Sequence, residues 1–363
     1  MTDAVPTLFH RCLEAQRDLA IMSSSAHVRM LAHDVKNEFD HCPLEGNVGT
    51  SSVYRLGDDM RVAIGGFIRK GGFNEVRHGE YQDGDTRKKV VVRLELDTQP
   101  GRHIMFYTEY HAHTMLYNMF PSTFIQLDAP FKIMRHEQTL LGMVLTDHDC
   151  GDFVDWLYDG RIDDDMICSL VGQLMIKLQH AQTTSGFMHR DLKPDNIVIQ
   201  MTQGRHSVTD NKAGAFPTMG VEPLLIDLSF ARFHDEDGTW YSLDPYSFLK
   251  YAPKTCNPSA DVTFFLYSLY VTYGKYLQQN APRFYQMMKV WTRDFRHRVS
   301  KIDADDEDIR DSTIQGMSLR VPPDSLSPAR VLKTLGLYWT NVDAEDQHYE
   351  RDFDTEVMSH LKP

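Results

Sequence analysis

Between about residues 51 and 145 the chain alternates apolar and polar residues at the spacing of β-strands, with glycines between the segments. A period of two is typical of a strand with one buried face, and glycines mark turns. We predict five short strands, at residues 62–67, 75–81, 90–96, 131–134 and 140–145. A helix at residues 103–120 interrupts them, because apolar and aromatic residues recur there every three or four positions. This part of the chain predicts a small sheet with one inserted helix.

After residue 145 the pattern becomes helical. Apolar residues fall on one face of a predicted helix at residues 163–181, and further helices are predicted at residues 262–273 and 283–291. Residues 1–50, with a candidate helix at 7–21, are interpreted as an N-terminal extension, and residues 341–363 as a C-terminal tail. The stretch 201–222, rich in Gly, Thr, Asn and Pro, is interpreted as an irregular surface insertion, and the acidic run 303–308 as a solvated loop.

Composition narrows the class of protein. The apolar fraction of 42% and charged fraction of 25% are those of a folded globular chain. Lys and Arg number 38 against 51 Asp and Glu, a formal net charge of −13, which argues against nucleic acid or an anionic membrane as the main partner. Residues 1–9 lack the features of a secretory signal, and the apolar-leaning run 262–273 is too short to span a bilayer.

The five cysteines are scattered and include no CxxC pair. They predict neither a disulfide framework nor a cysteine zinc site, and a reducing compartment fits them best. We therefore expect an intracellular protein, cytoplasmic or nuclear, with no nucleic-acid or membrane partner and no structural transition metal.

The strongest chemical signal is the sequence His-Arg-Asp-Leu-Lys-Pro-Asp-Asn at residues 189–196. Phosphoryl transfer to a hydroxyl needs a carboxylate that orients the acceptor, a cation near the transferred phosphate and a metal ligand. Asp191, Lys193 and Asn196 supply these three groups. The segment resembles the catalytic loop of eukaryotic-type protein kinases, and its lysine resembles the serine/threonine branch of that family.

A second carboxylate, Asp227, follows the apolar run 224–226. Magnesium prefers oxygen ligands and often takes only one or two from the protein beside phosphates. Asp227 therefore suits Mg²⁺, with Asn196 as the second protein ligand. The position resembles the family's DFG aspartate, with Leu228 and Ser229 in place of Phe and Gly, and Ser229 lacks the backbone freedom of glycine.

Residues 68–76 resemble the phosphate-covering loop of the family, in which glycines let backbone amides approach phosphates. Gly71 matches one family glycine and Val76 the valine that follows. Arg69 and Asn74 stand where two other family glycines belong.

On the next strand, Arg93 occupies the position of the family's phosphate-binding lysine. Its expected partner is Glu109, the only carboxylate in the predicted helix. Arginine keeps the positive charge, but its planar head is larger, so the exchange is not conservative. Lys70 is the second-ranked source of a phosphate-binding cation, and a solvent-exposed Glu109 is the alternative interpretation of that residue.

Residues 141–153 resemble the last small-lobe strand of the family and its hinge. The resemblance implies that adenine binds backbone groups near Thr146, Asp147 and His148, with Asp152 near the ribose. Asp261 matches the buried aspartate that supports the backbone of the catalytic loop.

The resemblance implies an α+β fold class, the bilobal protein-kinase fold. Residues 51–145 would form the N-lobe, a small antiparallel β-sheet with one helix, and residues 146–340 a mainly α-helical C-lobe. The implied function is an ATP-dependent protein serine/threonine kinase that uses ATP and Mg²⁺ on protein substrates, with the nucleotide bound between the lobes.

Two alternatives stay open. A pseudokinase scaffold, which binds partners with or without nucleotide, is favoured by Arg93 and the altered glycine loop. A small-molecule phosphotransferase of the same fold is the other. The four residues Asp191, Lys193, Asn196 and Asp227 favour the active protein kinase, because a scaffold has no chemical need for all of them. The oligomeric state is not predicted.

Overall fold

The computed structural model describes residues 42–70, 74–96, 102–147, 151–202, 207–210, 214–236, 238, 240–242, 256–301, 314–323 and 325–342. The predicted helix at residues 7–21 and the acidic run 303–308 lie outside these ranges. The chain is α+β and divides into two compact units. Unit 1 contains the described residues up to Asp147, together with Asp227–Phe230 and part of Tyr241–Ser247. Unit 2 contains those of His148–Ile226, Ala231–Trp240 and Phe248–Pro363.

One antiparallel sheet of seven strands forms unit 1, in the order β1-β2-β3-β4-β5-β7-β6. The strands are β1 Leu44–Val48, β2 Ser51–Arg55, β3 Met60–Lys70, β4 Asn74–Asp83, β5 Thr86–Leu96, β6 Leu127–Arg135 and β7 Gln138–Thr146. The five predicted strands are confirmed as β3 to β7, each extended at one or both ends. Sequence reasoning missed β1 and β2, because β1 is exposed along its whole length and β2 buries only Tyr54 well.

The sheet has two different faces. One carries an apolar core that draws on most of the strands and includes Tyr54, Ile64, Val92 and Phe131. The backbone N–H of Cys42, just before β1, donates to the carbonyl oxygen of Lys132 on β6 at 2.7 Å. The two edges of the sheet therefore approach each other, which encloses this core.

The opposite face packs against helix α1, Arg102–Met119. This helix matches the predicted helix 103–120. Phe106 and Leu116, two of the residues whose spacing predicted this helix, are fully buried.

Unit 2 is mainly helical. Its helices are α2 Phe153–Tyr158, α3 Asp164–Ser185, α4 Pro258–Asn280, α5 Pro282–Trp291, α6 Arg293–Val299 and α7 Pro328–Val342, with a 3₁₀ turn at Pro194–Asn196. Its short strands are β8 Ile197–Met201, β9 Ser207–Asp210, β10 Gly214–Pro217, β11 Val221–Leu225 and β12 Arg232–His234. In a further strand, β13 Trp240–Ser242, the first residue is assigned to unit 2 and the other two to unit 1. The three helices predicted after residue 145 are confirmed as α3, α4 and α5. None of the described helices is both long enough and apolar enough to cross a membrane.

The segment predicted to be irregular, 201–222, contains ordered strands. β9 and β10 form a hairpin, and β11 pairs with β8. Phe216 of β10 is fully buried against α3, where a methyl group on Gly172 would lie 2.8 Å from its ring. Gln173 donates to the carbonyl oxygen of Val221 at 3.0 Å. This part of the segment belongs to the core of unit 2, which its Gly- and Pro-rich composition concealed.

Candidate functional site

The segment 189–196 begins where α3 ends. Asp163 caps the start of α3 by accepting from the N–H of Met166, and Gly186, in the left-handed conformation at φ 59°, ends it. Met188 then pairs with Arg232 of β12 through two backbone hydrogen bonds of 2.7 and 2.8 Å. The chain therefore enters the segment from a fixed direction.

Asp261 on α4 holds the backbone of this segment. Its two carboxylate oxygens accept from the backbone N–H groups of His189 and Arg190, each at 2.8 Å. Arg190 has φ 67°, a conformation that costs free energy in a residue other than glycine. Burial raises the pKa of Asp261, against the opposing effect of His189 and the two N–H donors. The predicted supporting role of Asp261 is confirmed.

The carboxylate of Asp191 lies among three donor groups. The side-chain amide of Asn196 donates to the Asp191 carbonyl oxygen at 2.8 Å and to Oδ2 at 3.2 Å. The amide of Gln315 donates to the carbonyl oxygen of Arg190 at 2.8 Å and to Asp191 Oδ1 at 3.3 Å. Lys193 Nζ lies 3.4 Å from Asp191 Oδ2. The structure thus brings together Asp191, Lys193 and Asn196, and adds Gln315.

His189 ties the segment to the end of β11. Its Nε2 lies 2.9 Å from the carbonyl oxygen of Ile226, so this nitrogen carries the proton and donates. The N–H of Ile226 in turn donates to the carbonyl oxygen of Asn196 at 3.1 Å. These bonds fix the backbone directly before Asp227.

In unit 1, Arg93 and Glu109 form the predicted ion pair, with Nη1 of Arg93 donating to Oε1 of Glu109. The two side chains are 14% and 2% exposed, so the alternative of a solvent-exposed Glu109 is wrong. The guanidinium also lies 5.9 Å from the centre of the Phe106 ring. In the amide orientation that satisfies both groups, Asn74 accepts from Arg93 Nε at 3.0 Å and Nη2 at 3.3 Å.

This pair is electrostatically coupled. Burial raises the pKa of Glu109 to about 7, with Arg93 opposing the rise and the carboxylates of Asp227 and Glu95 adding to it. Burial acts to lower the pKa of Arg93, but Glu109, Asp227 and Glu95 outweigh it and the net shift is upward. Arg93 is therefore a permanent buried cation.

Asp227 stands in a strained conformation in unit 1, with φ 58°. The hydroxyl of Ser229 donates to Asp227 Oδ1 at 2.7 Å, and Leu228 between them is fully buried. The serine that replaces the expected glycine therefore orients the carboxylate.

The remaining predicted residues that the structure describes lie at three places. Val76 on β4 stands opposite Arg93 of β5 in the strand register. Thr146 ends β7 and donates from its hydroxyl to Asp128 at 3.4 Å, and Asp147 follows it. Asp152 caps α2, accepting from the N–H of Asp155 at 2.9 Å. Gly71 and His148 lie outside the described residues.

Two groups were not predicted, namely the side chain of Gln315 beside Asp191 in unit 2 and that of Asn74 beside Arg93 in unit 1. Gln315 is 124 positions from Asp191, in no recognisable motif, and Asn74 was noted only as a departure from a glycine pattern. Among the described residues, no cluster of three or more His, Cys, Asp and Glu side chains is placed to hold a metal ion. No protein-family model matches the chain, and no curated protein matches it.

Proposed function

We propose that the chain is a protein serine/threonine kinase with the bilobal kinase fold, which transfers the γ-phosphate of ATP to hydroxyl groups of protein substrates. The observation that carries this proposal is the environment of Asp191. Its carboxylate is held by the amides of Asn196 and Gln315, has Lys193 at 3.4 Å, and remains 15% exposed. A side chain that is fixed yet accessible suits contact with a substrate group.

Each residue has a distinct chemical role in this reaction. Asp191 accepts a hydrogen bond from the acceptor hydroxyl and orients its oxygen towards the γ-phosphorus of ATP. It takes the hydroxyl proton as the new oxygen–phosphorus bond forms and the bond from the γ-phosphorus to the leaving ADP breaks. Lys193, 41% exposed, neutralises charge on the transferred phosphate. The amides of Asn196 and Gln315 donate to opposite oxygens of Asp191, so the carboxylate needs no reorganisation during the reaction.

ATP and Mg²⁺ are implied by this reaction, and the donor set fits the metal. The side-chain nitrogen of Asn196 donates to Asp191, which leaves its side-chain oxygen, Oδ1, to serve as a metal ligand. The carboxylate of Asp227 is held by Ser229. Both are the hard oxygen ligands that Mg²⁺ takes beside phosphates, and no larger carboxylate cluster is needed. Bound magnesium would neutralise charge on the phosphates.

A pseudokinase scaffold is the second candidate, and Arg93 is the observation that favours it. Its guanidinium is committed to Glu109, Asn74 and the Phe106 ring. A lysine would place a smaller, mobile ammonium there. An active enzyme must therefore bind nucleotide phosphates through the donors that these contacts leave, or through another cation.

The direct test is transfer of labelled γ-phosphate from ATP with magnesium to a generic basic protein and to the chain itself. The wild type is compared with Asp191→Asn, Asp227→Asn and a matched surface variant, Asp294→Asn, whose side chain is 86% exposed. Far-ultraviolet circular dichroism and thermal unfolding establish that all four proteins are folded.

We expect transfer by the wild type and by Asp294→Asn, and a loss of at least about a hundredfold in the other two variants. Equal background in all four folded proteins would contradict the kinase proposal. Nucleotide binding without transfer would then favour the scaffold, and transfer to a small alcohol but not to proteins would favour a small-molecule phosphotransferase.

A further inference from the structure

Unit 1 contains a polar cavity of about 300 Å³, a volume at the lower end for small-ligand sites. Its lining includes Arg77 and Arg135, the hydroxyl-bearing residues Ser52 and Tyr54, and His136. None of these residues takes part in the proposed phosphoryl transfer.

The cavity lies on the face of the sheet opposite to Arg93. Side chains alternate between faces along a strand, so Arg77 shares a face with buried Tyr81, and Arg135 with buried Ile133. Arg93 directly follows buried Val92 on β5, so its side chain lies on the opposite face of the sheet. Two cationic side chains therefore project from the face that carries the apolar core, at a place where the core gives way to a cavity.

The charges in this cavity are unbalanced. Arg135 donates from Nη1 and Nη2 to the two carboxylate oxygens of Glu75 at 3.1 and 2.8 Å, and Arg77 donates from Nε to the same carboxylate. Two permanent positive charges thus face one negative charge. The excess is notable in a chain whose formal net charge is −13.

Both guanidinium groups retain donors. Each has five N–H bonds. Apart from its bond to Glu75, Arg77 donates only from Nη1, to the carbonyl oxygen of Gly65 at 2.9 Å, among the described residues. In the same part of the chain, Arg135 donates only to Glu75. The planar donor groups of arginine match the oxygens of phosphate.

We propose that this cavity binds the phosphate group of a phosphate monoester, carried by a small molecule or by a phosphorylated side chain. The positive charge that Glu75 leaves uncompensated attracts an anion, and the tetrahedral oxygens of a phosphate can accept from the remaining guanidinium donors and from the hydroxyl of Tyr54. Glu75 competes for the same donors, so it weakens anion binding and holds the arginines in place when no anion is bound.

Isothermal titration calorimetry of the full chain with inorganic phosphate, and with a phosphoserine peptide and its unphosphorylated form, tests this site. Removing the competing carboxylate in Glu75→Gln should tighten phosphate binding about tenfold, whereas Arg77→Gln and Arg135→Gln should each weaken it at least about tenfold. Arg135→Lys keeps the charge but loses the paired N–H donors of the guanidinium group, so its affinity for phosphate should lie between those of the wild type and Arg135→Gln.

One control locates the site. Arg61→Gln removes an arginine of the same sheet that pairs with Glu45 outside the cavity. Phosphate binding should be unchanged in this variant. Tighter binding of the phosphopeptide than of inorganic phosphate identifies a phosphorylated side chain as the ligand, and the reverse identifies a small molecule.

The variant Glu75→Gln separates binding from a purely structural role. If the three charges only close the end of the core, this variant gains no affinity for phosphate. Absence of binding by both the wild type and Glu75→Gln would overturn the proposal. Unchanged phosphate binding in folded Arg77→Gln and Arg135→Gln proteins would overturn it as well.

Discussion

At the scale of single residues, side-chain amides do much of the positioning around Asp191. Asn196 and Gln315 donate to its opposite carboxylate oxygens, and Gln315 also binds the carbonyl oxygen of Arg190. Gln315 therefore acts on both the backbone and the side chain of the segment. An amide in this place holds a carboxylate without changing its charge.

We expect Gln315→Leu to lower kcat about tenfold in the phosphoryl-transfer assay, because Asp191 loses one of its fixed donors. The KM for ATP should change little, since Gln315 contacts only residues 190 and 191 of this segment. Steady-state kinetics measures both constants. Gln278→Leu, at an exposed position on α4, is the matched control. An unchanged kcat would remove Gln315 from the positioning residues.

The buried pair Arg93 and Glu109 supports a second residue-scale prediction. Arg93→Met leaves Glu109 buried without its partner and should lower the free energy of unfolding by roughly 3 kcal/mol. Arg93 lowers the pKa of Glu109, so in the variant the folded carboxyl keeps its proton to a higher pH, whereas the unfolded carboxyl is ionised. The loss should therefore be larger at pH 8 than at pH 6, because the cost of taking up this proton on folding grows with pH. Urea denaturation measures it.

The double variant Arg93→Met/Glu109→Gln removes both charges and should recover at least half of the lost stability. Arg61→Met, on the exposed side of β3, should cost less than about 1 kcal/mol. If the changes in free energy of unfolding of the two single variants add up to that of the double variant, the two side chains are not energetically coupled.

At the scale of elements, the segment 201–222 shows how composition can mislead. Its glycines, threonines and prolines are typical of a loop, yet β10 places Phe216 against α3, where Gly172 leaves room for the ring. The hairpin β9–β10 therefore contributes to the core of unit 2.

Phe216→Ala should destabilise the chain by about 3–5 kcal/mol, the usual result of removing a fully buried aromatic ring. Thermal and urea unfolding measure the change. Met201→Ala, whose side chain is 59% exposed, should have little effect. A small effect of Phe216→Ala would return this segment to the class of dispensable surface insertions.

Sequence patterns predicted those elements and site residues that depend on residues close together in the sequence. Strands β3 to β7 and helices α1 and α3 follow from periodicity, and the segment 189–196 is contiguous, so Asp191, Lys193 and Asn196 were found together. Strand β1, exposed throughout, carries no hydrophobic pattern. The role of Gln315 becomes visible only when the chain is folded, because a single glutamine forms no motif and its partners are more than a hundred positions away.

At the scale of the whole molecule, stability depends on pH through carboxyl groups whose pKa values are shifted by folding, some downward and some upward. Hydrogen bonds from Arg135 and Arg77 lower the pKa of Glu75 to about 2, against the opposing effect of burial. Burial raises those of Asp261 and Glu109. A lowered pKa stabilises the fold above the ordinary value, whereas a raised one favours the fold at low pH.

Glu75→Gln isolates the first of these effects. In the wild type, the contribution of Glu75 is complete above its ordinary pKa of 4.5 and is lost as the pH falls towards 2. The urea midpoint of the variant should therefore lie below that of the wild type at pH 6 and approach it at pH 3. Glu80→Gln, whose side chain is 53% exposed, should follow the wild type at both pH values. A difference in urea midpoint between Glu75→Gln and the wild type that is the same at pH 3 and pH 6 would contradict the lowered pKa of Glu75.

The hydrogen bond from Cys42 to Lys132 also constrains the order of events during synthesis. It joins positions about 90 residues apart, and ribosomes add about 5–20 residues per second, so roughly 5–20 s pass between the two. During that interval the apolar side chains of the first strands, which include Tyr54 and Ile64, lack the part of the core that Phe131 supplies from β6. The nascent chain therefore exposes apolar surface to other chains until the β6–β7 hairpin is made.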